Sequence, residues 1–345
     1  MNSAENSMEP SQDAVPLQII DLRPGENFRD IPCLLVEKQL RTSQNNGKAF
    51  LDLVLRDSTA LVKAKWFANF QSIESELLAG RVLRITGRVD NGERYRGSFV
   101  IDGARLDENA QDISPFLPAK PAEHAAHRHR FNDIIRSIRN VHLKAMLKEI
   151  FAPSGKIWTE FQDASAAKVM HHAYAGGLLE HSGEVALLCD RVASTLPHLD
   201  RDLLVTAALI HDIGKLEEME SSLGAVEYTT AGYLVGHVVL GTCTVVAAIE
   251  RVPEFPSTLK HELMHLILSH HGRPEFGAAR QPMCAEAIVL SLCDLMSAKV
   301  AQCRDRASAD GSEEFASKND SYGWDGERIY LGAMKRMLAN EEATN

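Results

Sequence analysis

At 345 residues, 45% hydrophobic and 24% charged, the chain has the composition of a soluble globular protein with room for two cored domains. A formal net charge of -10 weighs against a protein that coats nucleic acid by bulk electrostatics, because phosphate binding draws on basic surface. Six cysteines without a CxxC pair argue against a disulfide scaffold and a thiolate zinc site, and the polar first fifteen residues lack the apolar core of a secretory signal, so a cytoplasmic protein with no membrane association is expected.

In chain order, residues 1–15 read as a disordered tail. Residues 16–110 alternate short apolar runs with turn signals, and five strands fit at 32–40, 49–57, 61–67, 82–89 and 98–101. Gln44-Asn45-Asn46-Gly47 joins the first two strands and Asp90-Asn91-Gly92-Glu93 the last two. A five-stranded barrel is the economical reading. The OB-fold is the commonest of that kind, with an SH3-like barrel as the alternative. Over 16–110 there are fourteen basic and thirteen acidic residues, so the overall acidity lies elsewhere. Residues 111–127, with Pro115, Pro118 and Pro121, read as a linker.

From 128 to 306 the periodicity becomes helical, with apolar positions three and four apart through 131–150, 178–192, 203–213, 234–252, 259–271 and 284–303. The expected fold is therefore a small β-barrel followed by an all-α bundle. Residues 307–345 form a C-terminal extension that recovers an amphipathic run only at 329–338.

Chemistry is carried by polar residues on the apolar faces of those helices. His181 shares a face with Leu178, Val185 and Leu188. His211 follows Leu203 and Ala207 at four-residue steps, and Asp212 follows Leu204 and Ala208. His237 opens a face continued by Leu240, Gly241 and Val245. His270 and His271 end a helix whose inward residues include Leu259, Leu263 and Leu266, and Asp294 lies with Ala287 and Leu290. A single histidine on such a face is more often an ordinary hydrogen-bonded core residue. Five of them together with two inward aspartates point to divalent metal, because buried carboxylates need compensating charge and few Lys or Arg share those faces. Imidazole with carboxylate and no thiolate suits Mn, Fe, Co, Ni or Zn. An adjacent His-Asp pair would let the carboxylate bridge two ions. His171 and His172 are candidates for substrate contact. His124, His127, His129, His142 and His198 read as solvated.

The order His181, His211-Asp212, Asp294 resembles the H...HD...D signature of the HD phosphohydrolase superfamily, with Ala208-Leu-Ile-His-Asp-Ile-Gly-Lys215 as its central motif. His237 and the His270-His271 pair resemble the extended form of two-metal members such as the HD-GYP phosphodiesterases, although no Gly-Tyr-Pro element follows His271. The stretches His171-His-Ala-Tyr-Ala-Gly-Gly-Leu-Leu-Glu-His181 and His265-Leu-Ile-Leu-Ser-His-His-Gly272 are similar to the YhaM-type 3'-5' exoribonucleases, an OB-fold followed by an HD domain, from about residue 18 to 305. The segment after Gly272 departs from that pattern.

That resemblance implies two divalent ions, with Mn the first candidate. His181, His211, Asp212 and Asp294 would hold one, and Asp212, His237, His270 and His271 the other. The activity implied is 3'-5' hydrolysis of single-stranded RNA, with single-stranded DNA as a second candidate and Lys215 offering charge to the transition state alongside Asp212. For Lys215 the plainer reading is a lysine at a helix C-terminus, favoured by the helix dipole. Lys63, Lys65, Tyr95 and Arg96 are the residues of the barrel expected to touch the strand. Self-association is an open expectation. The competing readings are a phosphohydrolase of nucleotides or cyclic dinucleotides, and a non-catalytic nucleic-acid adaptor.

Overall fold

The computed structural model describes residues 17–43, 47–92, 97–117, 123–167, 172, 174–222, 225–309, 314–315 and 328–342. The expected tail, Tyr95, Arg96 and His171 lie outside them. The chain divides into two compact units at Ala119–Lys120, with the short segment 223–225 grouped with the first.

The first unit is a closed five-stranded barrel of β1 (Asn27–Thr42), β2 (Ala49–Arg56), β3 (Leu61–Trp66), β4 (Val82–Val89) and β5 (Phe99–Leu106), in the order β1-β2-β3-β5-β4. The β3–β5 pairing is parallel and all others are antiparallel, an OB-like arrangement. Strand β1 has sixteen residues because it pairs with β2 along one part and with β4 along another. It bends between them through register shifts at Phe28/Ile31 and Leu35/Glu37, as closure of a barrel requires. Asp30 takes φ 55° at the first shift, and its carboxylate accepts from Arg84 Nε (2.8 Å) and from the Arg105 guanidinium (3.0 Å). This interruption explains why alternation alone starts the strand five residues late. Inward positions are apolar: Cys33, Leu35, Leu51, Leu53, Leu55, Ala64, Trp66, Leu83, Ile85, Phe99 and Ile101 are all buried. Two buried polar residues close the far end of β2. Asp57 accepts from the Ile19, Thr59 and Ala60 amides, and Arg56 Nε donates to the Phe116 carbonyl.

The second unit contains α1 (His124–Ser137), α2 (Val141–Ile150), α3 (Lys156–Phe161), α4 (Gly177–Thr195), α5 (Arg201–Ile210), α6 (Lys215–Glu218), α7 (Thr230–Leu234), α8 (His237–Ile249), α9 (Ser257–Ser269), α10 (Ala285–Ala309) and α11 (Gly332–Glu342). It is not purely helical, since a hairpin of β6 (Met219–Ser222) and β7 (Ala225–Tyr228) follows α6. The run 131–150 is two helices. The first ends at Ser137, and Asn140 caps the second, its side chain accepting from the His142 and Leu143 amides. Helix α1 starts at His124, inside the stretch read as linker, because its first two turns are polar and carry no apolar period. From Leu203 to Ile210 helix α5 is buried on every side, packed by α2, α4, α9 and α10, which makes it the axis of the unit. Phe131, Phe151, Trp158 and Phe161 form an aromatic cluster at one end, with ring centroids 5.0 to 5.9 Å apart.

Candidate metal centre

Helix ends converge to build the site. Helix α5 stops at Ile210, so His211 and Asp212 occupy the turn beyond it, and α9 stops at Ser269, leaving His270 and His271 in the equivalent place. His237 is the first residue of α8, after Gly236 at φ 79°. A Cβ on Gly214 would lie 2.0 Å from the His237 carbonyl oxygen, so only glycine lets the start of α8 press against the His-Asp turn. His181 comes from the first two turns of α4 and Asp294 from the middle of α10.

The seven residues read from the sequence as metal ligands are brought together. Asp212 divides the cluster. Its Oδ2 lies 3.6 Å from His181 Nε2 and 3.4 Å from His211 Nε2, while its Oδ1 lies 3.5 Å from His237 Nε2 and 3.6 Å from His270 Nε2. Asp294 completes the first group, with Oδ1 3.1 Å from His181 Nε2 and 3.7 Å from His211 Nε2. His271 completes the second, its Nε2 3.0 Å from that of His237. Behind the cluster, His211 Nδ1 is 2.8 Å from the Ala208 carbonyl, His270 Nδ1 is 2.6 Å from that of Ile267, and His237 Nδ1 is 2.8 Å from Glu218 Oε1. With the Nδ1 proton donated there, each Nε2 presents a lone pair inward.

These residues fit divalent metal. Asp212 Oδ1 and His270 Nε2 are fully buried and have no hydrogen-bond partner in the protein, a costly state that a cation relieves. Charges in the site are strongly perturbed. Burial disfavours the Asp212 carboxylate, yet Lys215 and His211 outweigh it and hold the group well below the usual carboxylate range. Asp294 is likewise lowered against its burial, by His181 and His211. Burial pushes His181 and His270 below the ordinary imidazole value and His271 down to about 3, which favours neutral, metal-competent rings. His211 moves upward because Asp212 outweighs its burial.

Lys215 Nζ sits 2.6 Å from Asp212 Oδ2. It opens the four-residue α6 rather than closing α5, so a favourable interaction with a helix C-terminus does not account for it. His172 requires a correction. It is fully buried, with Nε2 3.5 Å from Glu184 and 3.7 Å from Glu180, so in this conformation it supports the site from behind instead of meeting a strand from solvent. The reading of His124 and His127 as solvated is also overturned. His124 Nε2 lies 2.7 Å from the Gln162 carbonyl, and His127 Nδ1 is 3.3 Å from Glu180. Glu218, Glu184 and Ser297 escaped sequence reasoning. Glu218 is hidden in a Leu-Glu-Glu run that looks like a solvated face, whereas Glu184 and Ser297 stand three residues after His181 and Asp294, a spacing that could have marked them.

On the barrel, the outer face of β2 and β3 carries Lys63, Lys65 and Phe50, with Phe67 just beyond β3. The Phe50 and Phe67 rings are 5.5 Å apart, Phe67 is 52% exposed, and Lys65 Nζ lies 5.5 Å over the Phe50 ring. Trp66 and Phe99 are core residues.

The HD domain family model matches residues 178–299, the span that supplies every residue of the His/Asp cluster. A 3'-5' exoribonuclease YhaM of Bacillus licheniformis is 31% identical over 272 residues, covering 77% of this chain and 84% of the relative. Those of Bacillus subtilis (30% over 271 residues, 77% and 84%) and Oceanobacillus iheyensis (28% over 284 residues, 80% and 85%) match over a similar span. A match of 272 residues is longer than either unit and so reaches across both, and the chain belongs to the YhaM 3'-5' exoribonuclease family.

Proposed function

We propose that the protein is a metal-dependent 3'-5' exoribonuclease that shortens single-stranded RNA and releases nucleoside 5'-monophosphates, using two divalent ions with Mn the first choice. The observation that carries this is the division of Asp212, one oxygen facing His181 and His211, which Asp294 also approaches, and the other facing His237 and His270. His181, His211, Asp212 and Asp294 would hold one ion, and Asp212, His237, His270 and His271 the second. Bound there, such a pair supplies Lewis acidity and an activated water to a phosphodiester.

The chain's own groups do the rest. Burial keeps bulk solvent from the His181, His211 and His270 rings, and Nδ1 contacts fix the orientation of His211, His237 and His270. Lys215, raised above the ordinary lysine value by Asp212 despite its burial, stays cationic at neutral pH and can meet negative charge developing on phosphate oxygens. Hydrolysis adds water across the bond between phosphorus and the 3'-oxygen, leaving a 3'-hydroxyl on the shortened strand. Strand holding falls to the barrel, where Lys63 and Lys65 beside the Phe50–Phe67 pair offer charge and a stacking surface. Tyr95, Arg96 and His171 are proposed contacts on sequence grounds. Among the described residues no helix is long and apolar enough to cross a membrane, in keeping with a proposed cytoplasmic site of action.

The test uses protein stripped with chelator and reloaded with Mn, incubated with 5'-labelled single-stranded RNA and DNA, beside Asp212→Ala. A ladder shortening from the 3' end of RNA, absent without Mn and in the variant, is the expected result. Internal cuts, or turnover of mononucleotides and cyclic dinucleotides alone, would sink the assignment.

A further inference from the structure

Of the imidazoles in the cluster, His181 is held from behind in a different way. His211 and His270 face backbone carbonyls at Nδ1 and His237 faces a carboxylate, all pure acceptors, so in each case the Nδ1 proton is dictated by the partner. His181 Nδ1 lies instead 3.2 Å from Ser297 Oγ. A hydroxyl both donates and accepts, so Ser297 alone leaves the ring's proton undecided. On its other side His181 Nε2 stands 3.1 Å from Asp294 Oδ1, a contact that would draw a single ring proton onto the nitrogen a metal needs.

Glu184 resolves the ambiguity. Its Oε2 lies 3.0 Å from Ser297 Oγ, and an ionised carboxylate only accepts, so the serine hydrogen is committed to Glu184 and the serine lone pairs turn to His181. The ring must then donate from Nδ1. Helices α4 and α10 thus carry two rungs, one turn apart: His181 with Asp294, then Glu184 with Ser297. The second rung is itself anchored. His172 Nε2 lies 3.5 Å from Glu184 and 3.7 Å from Glu180, and Glu180 accepts from Tyr174 OH (2.7 Å) with Arg304 3.7 Å away. His172 itself adopts φ 55°, and a Cβ on Gly177 would come within 2.0 Å of its carbonyl oxygen.

We propose that Glu184, acting through Ser297, is a positioning residue of the metal centre that keeps the His181 proton on Nδ1 and its Nε2 lone pair available to a divalent cation. The inference rests on the metal-site reading above. Glu184 borders a cavity of about 440 Å³ between α4, α10 and α11, so the near-isosteric Glu184→Gln is accommodated without repacking. The glutamine amide can donate to Ser297 and reverse the chain.

Mn binding to chelator-stripped protein, measured by calorimetry, should weaken about 10–100-fold in Glu184→Gln and in Ser297→Ala, the usual cost of losing an outer partner of a ligating histidine, and recover in Ser297→Thr. In the Zn-loaded wild type, nitrogen-15 NMR should show a slowly exchanging His181 Nδ1 proton that is lost in both variants. Wild-type affinity in Glu184→Gln, or a rapidly exchanging His181 ring proton in the wild type, overturns the inference and leaves the metal site intact. Failure of the wild type to bind Mn overturns both. The wild-type NMR arm decides the matter even if a variant does not fold.

Discussion

The barrel and the helical unit treat charge in opposite ways. Inside the barrel the packed residues are mainly Leu, Ile, Phe and Trp, with Arg56 and Asp57 buried only at the end of β2, and its candidate RNA contacts Lys63 and Lys65 lie on the outer face. The helical unit instead buries His181, His211, Asp212, His270 and Asp294 at its centre, next to helices packed as tightly as any core. Function on an outer face can change with little effect on stability. Function in a buried cluster is tied to it, because each ionised group there depends on its partners.

The largest expected effect is on the buried side. Asp212→Asn should lower exonuclease activity by more than the roughly 10–100-fold associated with an outer partner, and abolish the rise in melting temperature on adding Mn. For wild type, Mn at about 100 times its Kd should add about 2.7 kcal/mol by mass action, read from paired thermal melts. An unchanged Mn-induced shift in the variant would break the link between site and stability.

Within the barrel, neighbouring residues sharpen the contrast. Trp66 is 2% exposed, so Trp66→Ala should destabilise the barrel by about 3–5 kcal/mol in urea unfolding. The next residue, Phe67, points outward, and Phe67→Ala should leave stability within about 0.5 kcal/mol while weakening RNA binding by about 1–3 kcal/mol, measured by fluorescence anisotropy. Equal stability losses for the two would mean the outer face is structural.

A further test concerns a charge in the helical unit away from the His/Asp cluster. Asp202 accepts from the Arg139 and Asn140 amides, both at 2.7 Å, and ties the α1–α2 junction to α5. Burial raises this carboxyl, but the Asn140 amide, Arg201 and the Arg139 amide outweigh it and hold it below its ordinary value. A depressed folded-state value means the contribution is present above the unfolded value, near pH 4, and disappears as pH falls through the folded one. Asp202→Asn should therefore cost about 1–3 kcal/mol at neutral pH and show a shallower acid loss of stability than wild type. Parallel pH curves would remove Asp202 from that role.

Much of this was readable before any coordinates. Strands β2, β3 and β4 follow from apolar runs between turn signals, and the alternation that sets Ala64 and Trp66 inward against Lys63 and Lys65 needs only a period of two. The ends of β1 were less legible because the turn at Asp30 breaks the alternation, and the polar start of α1 has no period to detect. Helical spacing marked His181 and Asp294 as inward, and the adjacent His211 and Asp212 were expected on the buried side of a helix. They lie instead just past its end, where the turn frees Asp212 to face two ways. His172 shows the limit most clearly: its neighbours in sequence say little, and its role is set by Glu180 and Glu184 on another element.

By itself the sequence determined the two-part architecture and which histidines and aspartates gather in the helical unit, since periodicity and the cost of burying charge act locally and can be read along one helix at a time. Only the tertiary structure decided how that cluster is divided, which nitrogen each ring presents, and that Glu218, Ser297 and Glu184 stand behind it. Those features depend on distances between side chains of different helices, which no spacing along a single helix contains.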